Sequence, residues 1–146
     1  MTSNTVILGA RQAIEWRNLD VRLGLVIDDV LKAWPSVRLV IGDIFRTEEE
    51  ECAIERQTGK KPSGIHKTIP HRSIDVQSHN LADGVGERWA ICQEVAEGIN
   101  TLWIYDPPRP SMVVAYAGRH GTGPHLHLQT HPRTRKRSAI NERSRA

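Results

Sequence analysis

The sequence predicts one α+β domain, with helices packed on a small, largely antiparallel sheet. Two long windows, Leu19 to Trp34 and Glu87 to Asn100, carry apolar residues at steps of three and four, the spacing of amphipathic helices. These helices precede and interrupt a set of short runs rich in β-branched residues, an order that suits helices laid against a sheet. With 146 residues, 38% hydrophobic and 25% charged, the chain has enough apolar residues for one core and no room for a second domain of usual size.

Taken in order, TVILGA near Met1 is a short apolar run without a basic flank and is followed by Arg11 and Gln12, so no secretory signal is expected. No apolar stretch approaches a membrane span, and a cytoplasmic product, acting as a monomer, is expected. In the first helix Leu19, Leu23, Val26, Ile27, Val30, Leu31 and Trp34 share a face, and Pro35 stops it. Ser36 to Phe45 reads as a strand. Thr47 followed by Glu50 is a capping-box pattern, so a short helix is predicted from about Glu48 to Gln57, with Gly59 as its stop. Lys60 to His71 carries Pro62, Gly64 and Pro70 and reads as a loop. Ser73 to Gln77 is a predicted strand. After the second long helix, TLWIY from Thr101 and MVVAY from Met112 are predicted strands separated by the turn-rich DPPRPS. The alternating HLHLQT from His125 ends the body.

Charge and histidine are both unevenly placed. The balance of 20 Lys+Arg against 17 Asp+Glu invites a nucleic-acid partner. Six of those basic residues and one acid lie from Arg133 onward, leaving 14 basic and 16 acidic residues, formally −2, for residues 1–132. The expected organisation is a folded body over 1–132 and a mobile basic tail over 133–146, and nucleic acid is not the expected partner. All seven histidines lie between His66 and His131, which is where chemistry is expected. Cys52 and Cys92 are too few for a disulfide framework and form no Cys-x-x-Cys pair, so thiolates do not hold a metal here.

In HLHLQT, alternation sends His125, His127 and Gln129 to one face and Leu126 and Leu128 to the other. A lone His-x-His is an ordinary surface feature. The stretch SGIHKTIPHRSIDV adds Asp75 on a short strand directly after a loop carrying His66 and His71. Two imidazoles and one carboxylate leave a fourth position open, the ligand set of a catalytic zinc site, whereas magnesium or calcium would want more oxygens.

These segments, with RLVIGDIFRTEEEECAIERQTGKKPSGIHKTIPHRSIDV followed by a helix and a terminal HLH strand, resemble the D-alanyl-D-alanine carboxypeptidase family of zinc peptidases. The family includes phage endolysins and phage-encoded L-alanyl-D-glutamate peptidases, and is structurally allied to lysostaphin and the hedgehog signalling domain. The likeness covers roughly Leu19 to Thr130 and follows the family's motif order. It implies zinc held by His66, Asp75 and His127, with His125 as the non-ligand histidine near the zinc-bound water or the oxyanion. It also implies that Arg46 lines the substrate cleft, and that the substrate is a peptide bond of a peptidoglycan stem peptide. The chain departs from the pattern in three ways. Eight residues separate His66 from Asp75, more than the family's usual spacing, so the loop must bulge. His71, separated from Asp75 by three residues, offers the rival His-x-x-x-Asp spacing of the lysostaphin-like relatives. Where members with Glu-x-x-His carry an acidic base, this chain has Pro124, and His125 or His120 would have to do that work.

His79 and His131 have no evident partners and are expected at the surface. Trp16, Trp34, Trp89 and Trp103 are expected in the core. Two other classes of function stand beside the peptidase: a non-catalytic virion or interaction protein that keeps the fold and the metal, and a nucleic-acid-binding module acting through the tail.

Overall fold

Both amphipathic windows become helices that share one face of a sheet, and short elements not expected from the pattern are added at the two ends. The computed structural model describes residues 5–35, 38–77, 85–118 and 124–137. The chain opens with β1 (Thr5–Ile7) and α1 (Ala10–Trp16). Next, α2 (Val21–Ala33) starts at Asp20, whose carboxylate accepts the Arg22 backbone N–H, and stops before Pro35, which has no N–H to continue it. The strand β2 (Arg38–Ile41) is shorter than the predicted run; Ser36 and Val37 lie outside the described residues, and past Ile41 the ladder becomes irregular. The predicted capping box forms at Thr47 and Glu50 and starts α3 (Glu48–Thr58), which ends at Gly59. A 3₁₀ turn (Ile65–Lys67) lies in the following loop, ahead of β3 (Ser73–Gln77).

The second long helix, α4 (Val85–Leu102), runs past its predicted end. The Thr101 hydroxyl bonds back to the Glu97 carbonyl, so β4 keeps only Trp103–Ile104. The next strand, β5 (Ala115–Gly118), is displaced from MVVAY, because backbone bonds from Arg109 to Asp106 and from Met112 to Arg109 continue the turn through Met112. The predicted HLHLQT strand is β6 (His125–Gln129). Arg135–Lys136 form β7, antiparallel to β4. The tail expected from Arg133 thus begins within the body. Thr134 is buried with its hydroxyl on the Tyr105 carbonyl, Arg133 binds Asp106, and Lys136 binds Asp29. Residues 138–146 lie outside the described residues.

The main sheet runs β1-β2-β3-β6-β5. Among the described strands only β1 and β2 pair in parallel; the other pairs are antiparallel, so the α+β expectation holds with a mixed sheet and a second, two-stranded one. One face is the core: Leu39 and Ile41 of β2, Ile74 and Val76 of β3, and Leu126 and Leu128 of β6 are buried with α2 and α4 against them. Period 2 then sends Ser73, Asp75, His127 and Gln129 to the opposite face. Among the described residues no helix is long and apolar enough to cross a membrane.

Candidate metal centre

The cross-strand register builds the centre. Asp75 in β3 faces His127 in β6, which faces Tyr116 in β5, so three neighbouring strands place these side chains in one row. At Asp75 the β2 side of the ladder is irregular. Gly42 N–H donates to the Asp75 carbonyl and Asp75 N–H donates to the Asp43 carbonyl, so two residues oppose one as in a β-bulge. A Cβ on Gly42 would stand 3.3 Å from the Asp75 carbonyl oxygen, a close approach that favours glycine there. The third group arrives from the loop. The Arg46 N–H donates to the His66 carbonyl at 2.8 Å and places the 3₁₀ turn, with its buried His66, beside the strand end.

His66, Asp75 and His127 each offer one ligand atom, and these atoms lie within 4.8 Å of one another; the group can hold a metal ion. Two ligands at ~2.0–2.1 Å from a tetrahedral ion lie roughly 3.3 Å apart. His127 Nδ1 is 2.7 Å from Asp75 Oδ1 and His66 Nε2 is 3.5 Å from Asp75 Oδ2, separations that bracket this value.

The hydrogen-bond chemistry fits the same conclusion. His66 Nδ1 lies 3.1 Å from the Ile44 carbonyl oxygen, which can only accept, so the proton sits on Nδ1 and the Nε2 lone pair faces Asp75. Ser73 Oγ, 3.0 Å from Nδ1, shares that proton. On the other side the Gln129 amide N–H₂ donates to the Val113 carbonyl at 3.0 Å, which turns Gln129 Oε1 towards His127 Nε2 at 3.1 Å. That nitrogen must then donate, and the Nδ1 lone pair of His127 also faces Asp75. Two lone pairs aimed at one carboxylate require a proton or a cation between them. Locking the far nitrogen of each imidazole is how proteins prepare histidine ligands.

Charge points the same way. Arg46 Nε binds Asp43 at 2.8 Å, Nη2 reaches Asp75 at 3.3 Å, and Nη1 lies 3.7 Å from Glu51. One guanidinium thus faces three carboxylates, and a divalent cation would close the balance. Burial alone would raise the Asp75 pKa, but when a proton lies between them and the carboxylate, hydrogen bonds and charge from His127 and His66 hold the carboxyl well below the usual carboxylate range. Tyr116 stacks on His127 with ring centroids 4.5 Å apart, fixing the imidazole plane. Burial, then the charge of Asp75, pushes its phenol pKa up, so the hydroxyl stays protonated.

A cleft of about 390 Å³ opens onto the centre. His66, Asp75 and His127 line it with His125, Tyr116 and Arg46, and its outer wall is the α3 face with the loop from Lys60 to Ile65. The histidine pair and Arg46 are therefore brought to one place. Arg46 arrives already bonded to carboxylates. His71 is not in the metal-ligating group. It is buried with Nδ1 2.9 Å from the Thr68 carbonyl oxygen and its ring against Phe45, while its backbone ties Asn18 and Asp20 to the loop. His131, expected without partners, accepts the Arg133 N–H at 3.1 Å and lies against Tyr105. His79 and His120 lie outside the described residues. Sequence reasoning missed Gln129 as a support of His127, although the alternation had placed it on the same face. It also missed Tyr116 and Glu51, whose positions depend on strand register and on how α3 packs. No family model matches the chain, and neither a curated protein nor a solved structure shows significant similarity to it.

Proposed function

We propose that the protein is a zinc-dependent peptidase that hydrolyses a peptide bond in peptidoglycan stem peptides or cross-links. The observation that carries this reading is the His66–Asp75–His127 group, with the far nitrogen of each imidazole locked, on the floor of a cleft shared with His125. Two imidazoles and one carboxylate facing an open cleft suit zinc in a catalytic rather than a structural role. Zinc bound there would supply Lewis acidity, polarising a carbonyl and lowering the pKa of water towards ~7.

The chain's own groups do the rest. His66 and His127 hold their donor nitrogens in place through Ile44, Ser73 and Gln129. His125, in the same cleft, donates to the oxygen on which charge develops as the carbonyl becomes tetrahedral. Arg46 braces Asp75 and limits how far the carboxylate can turn. Lys60 and Lys61 line the cleft and favour a substrate rich in carboxylates, in keeping with the stem peptide that the family resemblance suggests.

The test measures zinc by atomic emission and peptide release from purified peptidoglycan. Wild type should carry about one zinc per chain and release peptides, and His66→Ala and His127→Ala should lose both. Tight zinc binding with no peptide released from any peptidoglycan chemotype would instead support the non-catalytic interaction protein.

A further inference from the structure

The centre has ligands but no acidic proton acceptor where the family pattern puts one, because that position is Pro124. Among the described residues lining the cleft only two are carboxylates, Asp75 and Glu51. Asp75 is engaged by two imidazoles and a guanidinium. Glu51 is not. It is 5% exposed, and neither of its oxygens has a hydrogen-bond partner among the described residues. Among the described residues its one ion-pair partner within 4 Å, Arg46 Nη1, stands 3.7 Å away, beyond hydrogen-bond reach, and that guanidinium is bonded to Asp43 and Asp75.

The contrast along the acidic run is informative. Glu48 binds Lys67 at 2.7 Å, Glu50 binds Arg11 and closes the capping box, and Glu49 is exposed. Only Glu51 is turned inward, on a helix tied to its surroundings at both of those neighbours. A buried carboxylate without a donor is destabilising unless something completes it. Glu51 itself lines the cleft that holds the centre.

We propose that Glu51 is the proton-accepting carboxylate of this cleft and the catalytic base of the hydrolysis. The assignment rests on the peptidase reading above. As the oxygen of the attacking water bonds to the scissile carbonyl carbon, Glu51 takes one of its protons. When the C–N bond breaks, Glu51 returns that proton to the departing nitrogen, giving a carboxylic acid and an amine and restoring the carboxylate. His125 is then left to stabilise the oxyanion, and Arg46, between the two carboxylates, keeps both in place.

The test uses the zinc-loaded full chain carrying Glu51→Gln, with Glu51→Asp as a second variant should the first not fold. Four quantities are read: zinc per chain, kcat and KM on peptidoglycan peptides, and the affinity for acetohydroxamic acid, whose hydroxyl must pass its proton to a nearby base. Glu51→Gln should keep its zinc, lose roughly 10²–10⁴-fold in kcat with KM little changed, and bind the hydroxamate about tenfold or more weakly, the loss of one charged hydrogen bond. Glu51→Asp should fall between wild type and Glu51→Gln. Wild-type kcat and hydroxamate affinity in Glu51→Gln would overturn the assignment, and so would loss of its zinc, which would make Glu51 part of the metal-holding structure. If wild type holds zinc but cleaves nothing, the peptidase reading fails while the hydroxamate comparison still decides whether Glu51 accepts a proton. A wild type that holds no metal sinks both.

Discussion

Each residue of the centre is defined by what its far side touches. An imidazole has two nitrogens, and a carbonyl or amide oxygen on one determines what the other can offer. Ile44 does this for His66, and Gln129, itself oriented by Val113, does it for His127. Gln129→Ala should therefore lower zinc affinity by about 10–100-fold without removing a ligand, read by competition with a chelator. His71→Ala should leave zinc stoichiometry at the wild-type value. An unchanged affinity in Gln129→Ala would refute the locking role, and loss of zinc in His71→Ala would refute the ligand assignment. At this scale the sequence went far. Residue chemistry and alternation singled out His125, His127 and Asp75, the resemblance chose His66, and the structure groups His66, Asp75 and His127. The role of Glu51 was not legible. In the run EEEE every acid suits a helix N-terminus equally well, and only packing decides which one turns inward.

Elements were legible where their periodicity is long and their ends are marked. The helix α2 follows the apolar repeat and stops where Pro35 requires, and α3 starts at the expected capping box. Short pieces were not. The strands β1 and β7 have three and two residues, too few for a period, and they exist because neighbouring backbone needs partners, while β4 keeps two residues of the predicted TLWIY. The contact between α2 and α4 makes a testable point. A Cβ at Gly98 would stand 2.7 Å from Trp34 Cη2. Alanine would be worth about 1 kcal/mol to the helix, but forcing a methyl against a packed ring costs typically 1–3 kcal/mol. Gly98→Ala should therefore destabilise the protein, seen as a lower urea midpoint with unchanged m. A higher midpoint would mean that the ring moves aside freely.

At the scale of the whole molecule, charged pairs join segments far apart in sequence. Arg11 of α1 binds Glu50 of α3 at 2.7 Å and draws its carboxyl down to about 2 from an ordinary 4.5. The folded pKa lies below the unfolded one, so this contribution to stability is present above about pH 4.5 and is lost as pH falls towards 2. Arg11→Ala should be less stable at neutral pH and show a smaller further loss over that window, measured by denaturant unfolding at several pH values; parallel curves would remove the pair from the account. Pairs of this kind also dispose of part of the basic tail, since Arg133 and Lys136 neutralise Asp106 and Asp29 in the body. The sequence by itself determined the α+β class, the face on which the histidines of β6 stand, and the donor types available to a metal, because these follow from local periodicity and side-chain chemistry. Only the tertiary structure decided that His66 and not His71 meets Asp75, that a bulge at Gly42 and Asp43 faces Asp75, and that Glu51 is buried along the cleft. Each of these depends on contacts between segments distant along the chain, and spacing along the chain does not encode how a loop or a helix packs across a sheet.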